Sequence, residues 1–454
     1  MEPEPLCPIE FRYGREATRK LFSRTAFLDH CLEVEAALSR TLADEGIIPA
    51  SAARSISGAV SDHRVLLARV EELEAQTQHD VMAIVKALTE VAGSGAAYVH
   101  MGATSNDILD TARGLELRDA ADVLSASLHS LVEALEKQAR LHQSTIMVGR
   151  THGQHAVPTT FGYKLANFLL EFDRHEERLH QMRPRLAVGK MSGAVGTGAG
   201  FGAHAEEVER GVMGQLGLGV EQAATQITGR DRIAEFVCWM ALVGSTLDRL
   251  ATEVRNLQRS EIGELSEPFE ETRQVGSSTM AQKRNPINSE NVSSLARLLR
   301  ALPHTALENM VSWHERDLAN SANERFLVSH GVILLDDMLV RMTRIVRGWR
   351  VHPDRMRANL QASGGAAMTE NVMLELTRKG MPRQEAHELL RQLTRDLGPE
   401  GGKELLVRAQ ESKELRKWVP RAQIPGLFQP EAYGKAAERK TVRLLAARSG
   451  KARR

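Results

Sequence analysis

The sequence predicts an all-α protein, an elongated three-domain chain built around a central bundle of long helices. Apolar residues recur in steps of four and three: Phe236, Met240, Val243, Leu247, Leu250, Val254 and Leu257 form one seam along a helix. At 1.5 Å per residue that seam is roughly 30 Å long. Phe, Tyr and Trp number only 11, 4 and 4, with 15 prolines, while Ala, Leu, Glu and Arg are abundant, which favours helices over sheets.

The same stripe recurs at Leu124, Leu128, Leu131 and Leu135, at Leu165, Leu169 and Phe172, and at Val292, Leu295, Leu299 and Leu302, as expected for core-facing bundle helices. Breaks between stripes set the domain boundaries. Gly93-Ser94-Gly95 ends an N-terminal helical domain over residues 1–100, and Val351-His352-Pro353 separates the central bundle, 101–350, from a C-terminal helical domain, 351–454. The glycine-rich stretch Gly189 to Gly202 lacks the GxGxxG spacing and follows no strand pattern, which argues against a dinucleotide loop. Glu264 to Gly276 contains Pro268 and carries no helical stripe. The basic tail RSGKARR is expected to be disordered.

Lys and Arg total 59 against 58 for Asp and Glu, so no global basic field makes nucleic acid or an anionic membrane the default partner. No apolar run is long enough to span a bilayer. The acidic start MEPEPLCPIE lacks the basic-then-apolar order of a signal peptide. Cys7, Cys31 and Cys238 cannot build a disulfide framework and lack metal-ligand spacing, so a reduced cytoplasmic protein without metal is expected.

Four polar clusters interrupt the apolar pattern: Thr77 to Asp80, His100 to Asp107, Gly149 to His155 and Gly276 to Pro286. Polar groups are costly to bury unpaired, so such clusters mark candidate function. In the last, Gly276-Ser277-Ser278 presents consecutive backbone N–H groups and Lys283-Arg284 adds charge. Asn285-Pro286 is placed to cap and open the next helix, a setting for a carboxylate or simply a capped loop. His152 and His155, three apart, are spaced to share a helix face, but no third ligand follows to suggest a metal. In WHERDLANSANER, Arg316, Ser321 and Arg325 fit either a phosphate clamp or a salt-bridged helix start.

GSSTMAQKRNP, GRTHGQHAVPTTFG and HMGATSNDILDTA together resemble the three signature regions of the fumarase/aspartase superfamily, in the right order. The likeness runs from FRYG to SGGAAMTENVM. RYG, TQHD, GATSND and WHERDLANSANER resemble its adenylosuccinate lyase family in particular. Two departures stand out: Ala281-Gln282 occupies a place where the family usually has Pro-His, and Met101 one where it commonly has Tyr.

The resemblance implies β-elimination of fumarate from adenylosuccinate, giving AMP, and from SAICAR, giving AICAR, in purine biosynthesis, without a cofactor. It assigns Ser277 as the base that removes the proton beside a carboxylate, His152 as the acid that protonates the departing nitrogen, and His79 as its support or a substrate contact. Lys283 and Asn285 hold the succinyl carboxylates, and Lys283 offsets the growing charge. Thr104, Ser105, Thr151 and Gln226 are implied substrate contacts, as are Asp80, His100, Ser278 and Met280. Arg12, Tyr13, Arg316, Ser321 and Arg325 match the nucleotide end. It also implies a homotetramer with a helical core and sites shared between three subunits. Nucleic acid and membrane are not among the expected partners. The alternatives are a 3-carboxy-cis,cis-muconate cycloisomerase or another fumarate-releasing lyase of the superfamily, and a non-catalytic helical scaffold.

Overall fold

The computed structural model describes residues 5–270, 278–362, 364–395, 397 and 402–451. It is 69% helical, in agreement with the all-α expectation. The longest helices are Ser105–Leu141, Phe161–Leu186, Asp231–Leu257, Ile287–Glu308 and Ser321–Gly348. The seam from Phe236 to Leu257 is at most 2% exposed at every position, and Leu124, Leu128, Leu131 and Leu135 are fully buried. Burial of each such side chain stabilises by about 1.5–3 kcal/mol, which is why the four-and-three spacing defines the helices.

The chain forms two compact units, and it passes from one to the other inside those five helices. Unit 1 comprises Met1–His129, Arg174–Ser245 and Ser294–Val340. Its apolar core gathers Leu28, Leu32, Leu38 and Leu42 from the helix Arg24–Asp44 with Ile56, Leu88, Ile108, Phe201 and Val212. Ser23 caps that helix, its hydroxyl accepting the Ala26 N–H at 3.1 Å.

Inside unit 1, ion pairs join segments that are distant in sequence. Arg15 forks onto Asp336 at 2.6 and 2.8 Å, and Thr18 donates to the same carboxylate at 2.5 Å. Immediately before Arg15, Gly14 sits at φ +84°, where a Cβ would fall 2.3 Å from Ile333 Cγ2, so only glycine lets the chain pass. Arg230 donates to both oxygens of Asp110, at 2.8 and 3.0 Å, and to Glu324 at 2.9 Å, and all three residues are buried.

Unit 2 comprises Ser130–Asp173, Thr246–Ser293 and Arg341–Arg454. One of its cores joins Val372, Leu376, Leu390, Leu415 and Ile424 from the C-terminal helices. Two findings here differ from expectation. Residues 146–160 form an antiparallel hairpin, Ile146–Thr151 with Gln154–Thr160, so His152 and His155 share no helix face. His152 and Gly153, at φ 53° and 76°, are its two-residue turn, and positive φ at both positions is the type I′ geometry that matches strand twist. The tail also differs. The helix Glu431–Lys451 carries through its first part, because Arg448 forks onto Asp173 at 2.8 and 3.1 Å and also pairs with Glu136.

The Arg230 cluster generates a prediction with a pH signature. Burial pushes the Asp110 carboxyl up, but Arg230 and the Thr228 N–H pull it further down, and the net shift is downward. Its contribution to stability is therefore present above the ordinary aspartate value of 3.8 and lost as pH falls through the lower folded value. Arg230→Leu strands buried carboxylates and should cost about 3–5 kcal/mol at pH 7 in denaturant unfolding. That deficit should shrink as pH falls towards 4, because the variant can then neutralise Asp110 by protonation. An equal deficit at both pH values would contradict the account.

Candidate active site

Four of the sequence clusters fall at the ends of elements rather than inside them. In unit 1, Gln78 (φ 54°) terminates the helix Leu67–Thr77, and His79 is the N-cap of Asp80–Val91. His79 Nδ1 accepts the Met82 N–H at 3.3 Å. A nitrogen that accepts carries no proton, so the neutral ring keeps its hydrogen on Nε2 and offers it as a donor. The next residue, Asp80, pairs with Arg325 at 3.5 Å.

His100 (φ 62°) opens the second cluster. Its Nδ1 lies 2.6 Å from Glu35 Oε1, and its backbone N–H donates to Glu35 Oε2 at 3.1 Å. Burial lowers the ring's proton affinity, but the Glu35 carboxylate outweighs it and the pKa is raised. Thr104 and Ser105 follow at the start of the helix Ser105–Leu141, both half-buried. Asp107 fixes this turn: it accepts from the N–H groups of Thr104 at 2.8 Å, Ser192 at 3.0 Å and Gly193 at 3.0 Å, and it pairs with Lys190 Nζ. Asp107 and Lys190 are both fully buried. The glycine-rich stretch is thereby a strap over the GATSND turn. Asn106, 3% exposed, has an amide nitrogen with no hydrogen-bond partner among the described residues.

Gln226 and Arg316 meet directly, the guanidinium donating to the amide oxygen at 2.9 Å and the Gln226 N–H to the Glu315 carbonyl at 3.2 Å. Arg316 Nε is buried without a partner among the described residues. Asp317 holds this loop by accepting the N–H groups of Trp313 and Ala319, each at 2.7 Å. Ser321 begins the helix Ser321–Gly348 and Arg325 lies one turn on, exposed. Arg12, the C-cap of the short helix Pro8–Phe11, and Tyr13 after it are anchored to that same long helix through Gly14 and Arg15.

In unit 2, Thr151 and His152 stand exposed at the hairpin tip. The base of the tip is rigid: Arg150 forks onto Glu264 at 2.9 and 2.7 Å, and Asn359 adds a hydrogen bond to the same fully buried carboxylate at 2.8 Å. Ser278, Met280 and Lys283 are exposed and Asn285 is half-buried. Ser277 lies outside the described residues. The next helix opens at Ile287, and its first free N–H groups, on Asn288 and Ser289, donate to Glu267 at 3.2 and 2.6 Å. The capping carboxylate thus comes from the preceding loop, and those N–H groups are not left for a ligand.

The structure therefore gathers His79, Asp80 and Arg325, joins Gln226 to Arg316, and ties Arg12 and Tyr13 to the same helix as Ser321 and Arg325. Glu35, Lys190, Arg230 and Glu267 escaped the sequence reading, and Asn106 entered it only as a member of the His100 to Asp107 cluster. Glu35 had a legible signal. It occupies a seam position in the run Leu28, Cys31, Leu32, Glu35, Leu38, Leu42, where a carboxylate has no reason to be buried without a partner.

Residues 10–299 match a lyase family model and residues 365–444 match the model of the adenylosuccinate lyase C-terminus. The adenylosuccinate lyase of Pyrococcus horikoshii is 48% identical over 95% of both chains. Among solved structures, a fumarate lyase from Mesorhizobium sp. BNC1 superposes with a TM-score of 0.87 at 33% identity, covering 97% of this chain and all of that one. The 3-carboxy-cis,cis-muconate lactonizing enzyme from Pseudomonas putida gives 0.86 at 31% identity, covering 97% and 98%. With its signature regions in order and its C-terminal segment matched as well, the chain belongs to the adenylosuccinate lyase family of the fumarase/aspartase superfamily.

Proposed function

We propose that the enzyme, a carbon–nitrogen lyase, releases fumarate from adenylosuccinate to give AMP and from SAICAR to give AICAR. The observation that carries this reading is the 48% identity to an adenylosuccinate lyase along 95% of both chains. The donor chemistry of unit 1 supports it. Arg12, Arg316 and Arg325 supply positive charge, the Glu35 carboxylate favours the protonated form of His100, and His79 Nε2 and the unpartnered Asn106 and Arg316 nitrogens supply hydrogens. That inventory suits a ligand carrying a phosphate and two carboxylates.

In the proposed reaction Ser277 takes the proton from the carbon beside a succinyl carboxylate. A serine hydroxyl does this only in a closed, water-poor site that stabilises its alkoxide. Lys283 and Asn285, with Thr104 and Ser105, hold the carboxylates and the charge that develops on them. The electron pair left on carbon forms the double bond of fumarate as the C–N bond breaks, and His152 delivers a proton to the leaving nitrogen. His79 supports that transfer. Thr151, Gln226, Asp80, Ser278 and Met280 contact substrate, while Arg12, Tyr13, Arg316, Ser321 and Arg325 grip the nucleotide end.

Assembly is part of the proposal: a homotetramer, each site built from three subunits, working in the cytoplasm. His152, an acid at an exposed hairpin tip, would be enclosed by a neighbouring copy in such an assembly. Three free cysteines suit a reducing compartment.

A fumarate-release assay should show turnover of adenylosuccinate and SAICAR but not argininosuccinate. Turnover only of a succinyl amine without phosphate would favour the muconate-type alternative. Ser277→Ala should abolish the reaction with substrate binding still measurable, and His152→Gln should lower kcat about 10²-fold or more. Mixing those two inactive variants through denaturation and renaturation should restore partial activity, since some sites then receive Ser277 and His152 from intact copies. No recovery would argue against shared sites.

A further inference from the structure

We propose that Glu35 is a positioning residue for the active site: it fixes His100 with Nδ1–H turned inward, so that the ring presents Nε2–H to an anionic group of the substrate. The inference rests on the lyase reading above.

Glu35 belongs to the helix Arg24–Asp44, and its side chain is 1% exposed. Its neighbours on the seam are Cys31, Leu32, Leu38 and Leu42, none of which offers it a strong donor. Both carboxylate oxygens turn to one residue, Oε1 to the His100 ring at 2.6 Å and Oε2 to the His100 backbone N–H at 3.1 Å. A buried carboxylate that spends both oxygens on a single residue fixes that residue's backbone and its ring together. His100 needs such fixing, because its φ of 62° is a strained setting for a side chain with a Cβ.

The arrangement selects one state of the ring. Hydrogen-bonded to a carboxylate, Nδ1 carries a hydrogen, and a carboxylate in so dry a place favours the imidazolium over the neutral ring. Asp107, from the helix Ser105–Leu141, adds to the same bias, while its own charge is matched by Lys190. The ring is 15% exposed, and Nε2, on the edge away from Glu35, has no protein partner among the described residues. A cationic donor with a free N–H, adjoining the Thr104 and Ser105 turn, is suited to a carboxylate or a phosphate oxygen.

The test combines kinetics with ring titration. Glu35→Gln keeps the shape but removes the charge. The expected result is a roughly 10- to 100-fold fall in kcat/KM, carried mainly by KM, the scale of one charge-assisted hydrogen bond. In a His100→Gln background the same substitution should have little further effect, because the partner through which it acts is gone. A full, additive loss in the double variant would overturn the proposal, since a purely structural carboxylate would give that result. The succinyl nucleoside without phosphate distinguishes the two anions. Equal losses with and without phosphate assign His100 to a carboxylate, and a loss confined to the phosphorylated substrate assigns it to the phosphate. A loss with neither would also overturn the proposal. If Glu35→Gln does not fold, NMR titration of the His100 ring in the wild-type protein decides, with the resonance identified by its absence from His100→Gln. A ring that stays protonated above the ordinary histidine range supports the pairing, and one that loses its proton at or below it refutes the pairing. Absence of purine turnover by the wild-type enzyme would sink the lyase reading and leave the ring titration standing.

Discussion

The buried pair of Asp107 and Lys190 is the constraint from which much of unit 1 follows. Neither side chain retains any exposure, and Asp107 fills its remaining acceptor sites with three backbone N–H groups from two separate segments. An ion pair taken out of water is stable only when its hydrogen bonds are complete, and here they are completed by main chain. The carboxylate thus ties the turn that begins the helix Ser105–Leu141 to the strap at residues 190–193. Thr111 reinforces the tie, its hydroxyl donating to the Lys190 carbonyl at 2.8 Å and accepting the Lys190 N–H at 3.1 Å. The glycines of the strap serve close approach: a Cβ at Gly189 would fall 2.8 Å from Thr111 Oγ1. Thr104, Ser105 and Asn106 are therefore positioned by a buried electrostatic knot rather than by the loop they sit on.

A second regularity concerns the backbone. Among the described residues the non-glycine positions with positive φ are His63, Gln78, His100, His152 and His314. All but His63 fall within or beside segments proposed to meet substrate. The left-handed region costs a residue with a Cβ about 1–2 kcal/mol, and it persists only where surrounding contacts over-determine it. Those contacts are identifiable: the His79 cap after Gln78, Glu35 at His100, the Arg150–Glu264 fork below His152, and Asp317 around His314. In each case a charged or capping side chain holds a turn in a shape the local sequence does not favour.

These restraints also explain what could be read from the sequence. The long helices were legible because apolar spacing states a helix and its buried face at once, and Phe236 through Leu257 are buried as spaced. The signature clusters were legible as polar interruptions. The hairpin at 146–160 was not, since His-Gly lacks the usual Asn-Gly or Asp-Gly turn signal and the histidine spacing mimicked a helical face. Arg230 and Lys190 were invisible because their partners, Asp110, Glu324 and Asp107, lie scores of residues away. The cap on the helix Ile287–Glu308 misled for a similar reason: Asn285 stands in the right place, yet Glu267 takes the N–H groups.

Glu267 also shapes what the 278–286 loop can do. A helix N-terminus left open would itself attract a carboxylate. With Asn288 and Ser289 already satisfied, the helix end offers little to a bound anion, so an anion at this loop would have to be met by side-chain charge. Lys283 is exposed, and its N–H donates to the Met280 carbonyl at 3.1 Å. In the proposed reaction a lysine at this place would stabilise developing negative charge best where water is excluded, because solvent screening weakens its field. The same exclusion of water is what the proposed base, Ser277, would require.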